Sequence, residues 1–113
     1  MPARPPAGMV EDRYPDLGPA DGEVLDAEVV VSEDALVKAF ALGPGAELEA
    51  HVHGGSTNVF HVTEGTVTVL QDAEEREIEA PGVVLHERGQ SHGARNDTDE
   101  VVVLTASLCP MPG

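Results

Sequence analysis

From Glu23 onward, apolar and polar positions recur in short valine-rich runs, each closed by turn chemistry. Eight such runs predict strands: Val24 to Val31, Ala35 to Leu42, Leu48 to His53, Asn58 to Thr63, Thr66 to Leu70, Arg76 to Glu79, Val83 to His86, and Glu100 to Leu108. The breaks between them are Ser32-Glu33-Asp34, Gly43-Pro44-Gly45, Gly54-Gly55, Glu64-Gly65, Gln71 to Glu75, Pro81-Gly82, Arg88-Gly89 and Asn96-Asp97. Short strands at this spacing specify an all-β sandwich or barrel, and no stretch carries a helical apolar stripe over three turns. Residues 1–22 differ. They hold Pro2, Pro5, Pro6, Pro15 and Pro19, five of the nine prolines, and no sustained periodicity. Proline removes a backbone donor and blocks helix, so this segment reads as an irregular arm before one domain at residues 23–113.

Length agrees with that division, since 113 residues suffice for one self-standing core. Charge narrows the partners. Twenty-one Asp and Glu face six Lys and Arg, a net −15, and Lys38 is the only lysine. Such a chain offers nucleic acid no electrostatic footprint and is repelled by anionic membranes. No apolar run approaches the ~20 residues of a membrane span. Met1 to Gly22 has two arginines but no apolar segment, so no secretory leader is expected. A single cysteine, Cys109, excludes an internal disulfide and suits a reducing, cytoplasmic setting. The aromatics are only Tyr14, Phe40 and Phe60. Acid-rich, lysine-poor, aromatic-poor composition resembles the cytoplasmic proteins of salt-accumulating halophiles. There, molar salt shortens the screening length to ~3 Å and strengthens apolar burial.

The chemistry is carried by five histidines, at 51, 53, 61, 86 and 92. His51 and His53 share parity, so on a strand both rings project from one face and can meet one ion. His61 has the parity opposite to Phe60 and Val62 and is expected on the outer face. His92 follows the turn Arg88-Gly89-Gln90-Ser91, with Ala94 and Asn96 on its face. A pair on one strand plus a third histidine from a distant strand gives three nitrogen ligands. Positions for water or substrate stay open, the pattern of a catalytic rather than a structural metal site.

The spacing around these histidines is specific. Gly45, His51, His53, Asn58 and Gly65 reproduce the first signature of the cupin family at every position but one, since Asn58 stands where the family usually carries a ligating glutamate. Gly89, His92 and Asn96 match the end of the second signature, with Glu87 in place of its proline and Gly82 one residue closer than the pattern asks. The chain therefore resembles a minimal single-domain cupin over roughly residues 28–108. That implies a small double-stranded β-barrel, jelly-roll-like, often homodimeric, with one divalent transition metal held by His51, His53 and His92. Asn58 is then either a weak fourth ligand or a hydrogen-bonding neighbour of a ligand. Imidazole ligation suits Fe, Ni, Zn or Cu. The resemblance to cupins with three histidines and no acidic ligand implies an iron-type dioxygenase acting on a small anionic or enol-forming molecule. The alternatives are a metal-dependent isomerase or lyase, or a non-catalytic module that binds a small ligand or metal.

Other residues frame that site. Phe40, Phe60 and Val62 are expected as its apolar wall. Lys38 shares a face with Leu36, Phe40 and Leu42, so it either reaches the cavity as an anion-binding cation or snorkels at a rim. His86 is a candidate acid–base or supporting group at the cavity mouth, against a plain surface position. Arg95 is expected in an outward salt bridge, and Cys109 as a small buried hydrophobe.

Overall fold

The computed structural model describes residues 18–112. Most of the expected proline-rich arm lies outside the described residues. The described chain forms nine strands: β1 (Val24–Val31), β2 (Leu36–Leu42), β3 (Glu47–Val52), β4 (Thr57–Glu64), β5 (Thr66–Gln71), β6 (Glu74–Glu79), β7 (Gly82–His86), β8 (Ser91–Arg95) and β9 (Val102–Cys109). Each of the eight expected runs corresponds to one of them; the ninth, β8, is additional. No helix occurs among the described residues, so none is long and apolar enough to cross a membrane.

The strands form two antiparallel sheets, ordered β1-β2-β9-β4-β7 and β3-β8-β5-β6. Their inner faces enclose a core in which Leu42, Phe60, Val62, Val67, Val102 and Leu104 are essentially dry. Burying side chains of this size stabilises the fold by about 1.5–3 kcal/mol each. Alternation is clearest in β9, where Val102, Leu104, Ala106 and Leu108 point inward. Cys109 has the opposite parity and is exposed. The expectation of a buried thiol is corrected by that alternation. The expected break from Gln71 to Glu75 is also shorter than read: Gln71 pairs with Glu74, leaving Asp72 and Ala73 as the hairpin loop, with Asp72 at φ 52°.

Two local features set the placement of β3 and β8. In β3, Leu48 pairs with Ala94 and His51 with His92, so two residues of one strand, Glu49 and Ala50, oppose one of the other, Gly93. This bulge brings Leu48 and His51 onto one face despite their opposite parity. Beneath it lies Gly93, where a Cβ would fall 2.7 Å from the Leu48 carbonyl oxygen and 3.0 Å from the Ala50 backbone. Only glycine admits that approach. Asn96 anchors the far end of β8. Its buried Nδ2 donates to the carbonyls of Leu42, Gly43 and Glu100, while its Oδ1 accepts from the backbone and hydroxyl of Thr98. At the sheet margin, β6 pairs with β5 alone among the described residues and carries Glu74, Glu75, Glu77 and Glu79 against one Arg76.

Candidate metal centre

His51 ends up opposite His92 across the β3–β8 pair, and His53 lies just beyond the end of β3. The structure thus brings together the three histidines that the spacing singled out. One ring nitrogen from each lies within 4.8 Å of the others. Ring centroids are 4.8 Å apart for His51 and His53, and 4.6 Å for His51 and His92. Gly89, at φ 84°, and the hydrogen bond from the Gln90 backbone N–H to the Glu87 carbonyl shape the turn that delivers β8. Glu87 in place of the family's proline leaves that turn intact.

Hydrogen bonds fix which nitrogens are free to ligate. Nδ1 of His51 lies 2.9 Å from the Glu49 carbonyl, and Nδ1 of His92 lies 3.1 Å from that of Gln90. A carbonyl oxygen only accepts, so both Nδ1 atoms carry the proton and both Nε2 atoms are bare. Such backbone anchoring is what orients metal-binding imidazoles. Burial lowers the His53 pKa, helped by the charge of His51. Burial also lowers that of His92, against a smaller upward pull from the Gln90 carbonyl. Neutral rings with available lone pairs are the form a divalent transition metal needs. These three residues could hold such an ion.

Asn58 sits beside them, buried, and lies 2.8 Å through Nδ2 from His92 Nε2. Because that Nε2 is bare, the amide N–H donates to it. Asn58 Oδ1 is buried without a partner among the described residues. His86 is a larger surprise. Its position is not at the surface but fully buried, stacked on His92 at 4.7 Å and edge-on to Phe60 at 4.4 Å. Gln71 Nε2 donates to the Leu85 carbonyl at 2.8 Å and to His86 Nδ1 at 3.0 Å. The His86 proton therefore sits on Nε2, which is also buried and unpaired. Burial, then the charges of His92 and His51, push the His86 pKa down to about 4.

That shift carries a sign. The unfolded chain takes up a proton at His86 below about pH 6.5, whereas the folded protein resists it until about pH 4. Stability is therefore fully present above pH 6.5 and drains as pH falls toward 4. In chelator, the thermal midpoint is expected to drop by several degrees between pH 7.5 and 5.0. A midpoint that stays flat or rises over that interval contradicts the assignment.

A cavity of about 320 Å³ adjoins the histidines. Leu36, Phe40, Leu48, Phe60, Ala106 and Leu108 line it, together with His51, His53, Asn58 and Pro112. Phe40 and Phe60 are where the sequence places them, but Val62 is not among the lining residues. It faces Leu104 and Gly82, deeper along β4, and belongs to the core. Lys38 lines the cavity with its ammonium 5.3 Å from the Phe40 ring centre and 3.0 Å from Asp26 Oδ2. Asp26 was not anticipated, because its diagonal relation to Lys38 appears only once β1 is registered on β2. His61 is exposed. Arg95 points outward and binds Glu75 and Asp97. Those carboxylates raise its pKa, and it lowers theirs.

Solved structures share this architecture. The TT1209 protein of Thermus thermophilus is 31% identical, with a TM-score of 0.76 over 80% of this chain and 86% of that one. A conserved protein with a double-stranded β-helix domain from Klebsiella pneumoniae is 26% identical, with a TM-score of 0.80 over 90% and 89%. A predicted oxalate decarboxylase of Thermotoga maritima, 23% identical over 80% and 83% with a TM-score of 0.75, shares the fold. Among curated proteins, none matches. Residues 39–108 match the family model described as a cupin domain, from within β2 into β9 and across all three histidines. The chain belongs to the cupin family.

Proposed function

We propose that this cupin holds one divalent transition metal, Fe, Ni, Zn or Cu, on His51, His53 and His92 and presents it to a small organic anion. The observation that carries this reading is three imidazoles converging within 4.8 Å beside an apolar cavity that contains the chain's only lysine. Among the described residues no carboxylate joins that cluster, so the ion's charge is not offset by these ligands and favours an anionic or enolate partner. Such a metal supplies Lewis acidity and, as iron, electron transfer to and from dioxygen. The reaction we assign is dioxygenase-type oxidation of a chelating anion or enol. Phe40, Phe60, Leu36 and Leu108 keep water from the bound ligand, and Lys38, steadied by Asp26, pairs with its negative end.

A second reading, a binding module without turnover, is favoured by Asn58, an amide at the family's carboxylate position. Oxygen uptake by iron-loaded protein, measured against a panel of small dicarboxylates and β-diketones, separates the two. Uptake that depends on one class of anion supports the enzyme, and Lys38→Met is expected to raise KM for it about tenfold through loss of a charge-assisted hydrogen bond. Tight ligand binding with no uptake, under iron or any other metal, transfers the assignment to the module. The acid-rich, lysine-poor composition supports a further reading, a protein adapted to high internal salt.

A further inference from the structure

Two buried polar atoms beside the histidines lack partners, and they are complementary. His86 Nε2–H can only donate and Asn58 Oδ1 can only accept, yet each is unsatisfied. The two residues are direct cross-strand partners on β4 and β7, so their side chains leave the sheet side by side. Both are dry, with relative exposures of 2% for Asn58 and 0% for His86. Leaving such groups unpaired costs free energy that no other contact of these two side chains among the described residues returns.

The reason they are unpaired is that Asn58 is engaged elsewhere. Its amide N–H occupies the lone pair of His92 Nε2, the nitrogen that a metal would require. A cation and an N–H cannot share that lone pair. The amide must leave when an ion arrives, and a complementary group, the His86 Nε2–H, projects from its cross-strand partner. Gln71 keeps that donor in place. Its Nε2 is committed to the Leu85 carbonyl, so it also presents a donor to His86 Nδ1 and holds the proton on Nε2.

We propose that Asn58 is a metal-responsive positioning residue: the ion displaces its amide from His92, Oδ1 turns to accept from His86 Nε2–H, and Nδ2 is released toward the cavity as a donor to an anionic ligand. This rests on the metal reading proposed for the three histidines. It makes Asn58 a reporter of occupancy and not a fourth ligand, and it couples anion binding to metal binding. Asn58 already lines the cavity, so the released donor has somewhere to act.

The test uses the full chain and Zn²⁺ as a diamagnetic probe. In nitrogen-15 NMR spectra, Zn²⁺ is expected to move the His86 Nε2–H resonance downfield and slow its exchange with water. By calorimetry, His86→Phe, which keeps an aromatic ring against His92, should bind Zn²⁺ about tenfold more weakly, because the displaced amide has lost the hydrogen bond it moves to. Asn58→Leu neither breaks nor makes these bonds, so its Zn²⁺ affinity should stay within about threefold of wild type, and the double variant should match it. Zn²⁺-loaded Asn58→Leu should bind malonate about tenfold more weakly than Zn²⁺-loaded wild type.

Loss of tenfold or more in Zn²⁺ affinity on Asn58→Leu, with His86→Phe unchanged, would make Asn58 a ligand and overturn the proposal. Unchanged malonate affinity, or a His86 resonance that ignores Zn²⁺, overturns it as well. Wild-type protein that binds no Zn²⁺, Fe²⁺, Ni²⁺ or Cu²⁺ removes the metal reading itself, an outcome distinct from those three. The resonance measurement needs no variant, so it decides the matter even where a substitution unfolds the chain.

Discussion

Replacing His92 with alanine is expected to weaken divalent-metal binding by at least about 100-fold, above the 10–100-fold typical of losing a neighbour of a ligand. Of the three histidines it is the most enclosed, with a relative exposure of 1%. Its ring faces His51 across the strand pair, stacks on His86 and accepts the Asn58 amide. Truncation removes one ligand of three and also strands Asn58 and His86 around a void. Both effects are measurable separately. Calorimetric titration with Zn²⁺ or Ni²⁺ reads the ligand, and thermal unfolding in chelator reads the void. His61→Ala, on the outer face, is the matched control and should leave metal affinity untouched. Equal metal affinity in His92→Ala and wild type would dismantle the candidate centre.

The largest stability effect is expected at Asn96, which touches neither cavity nor metal. Its side chain is completely buried and no polar atom of it is idle: the two Nδ2 hydrogens are shared among the Leu42, Gly43 and Glu100 carbonyls at 2.9, 3.1 and 2.7 Å, and Oδ1 accepts from both donors of Thr98. Its backbone also exchanges bonds with Ala46 and Gly45. One residue thereby ties the end of β2 to the β8–β9 connection. Leucine at this position has similar bulk but leaves those carbonyls facing hydrocarbon. Each stranded group costs ~1–3 kcal/mol, so Asn96→Leu is expected to lose about 3–5 kcal/mol after partial rescue by water near Glu100. That is a large share of the ~5–15 kcal/mol that holds a domain of this size together. The thermal midpoint should fall by about 15 °C or more. A fall of only a few degrees would mean that the network relaxes around the loss, and its assigned role would be wrong.

The first of these side chains, His92, lies on β8 and the second, Asn96, directly follows its end, and β8 is the strand that the sequence pattern hides. The valine-rich alternation marks most strands because burial on one face is a local property of the chain, as in β9 and β4. β8 escapes it, since Ser91-His92-Gly93-Ala94-Arg95 places a histidine and an alanine inward and offers no large apolar side chain. Its identity as a strand comes from Gln71 and His51 pairing on either side of His92, which only the assembled sheet supplies. The three histidines were legible because their spacing matches a family signature, and parity alone would have misjudged Leu48, whose face is set by the bulge. His86 was legible as a candidate but not as a buried one. Its strand is short, and the ring that covers it, Phe60, arrives from β4. Asp26 could not be read at all, because diagonal neighbours depend on register.

The lone acidic strand at the sheet margin has a consequence for association. Among the described residues β6 has one hydrogen-bonded neighbour, so its other edge carries no ladder partner there, a template on which another chain could add a strand. Four glutamates in six residues make that addition a meeting of like charges, and a second copy brings the same −15. The barrier is electrostatic and therefore belongs to the solvent as much as to the protein. In dilute buffer, with a screening length of ~30 Å at 0.01 M, copies repel well before contact; at 1 M the reach shrinks to ~3 Å, and only carboxylates at the edge itself still act. Placing the acids on the strand keeps the guard where salt cannot remove it. A fibril seeded from this edge would have to bury glutamates against glutamates.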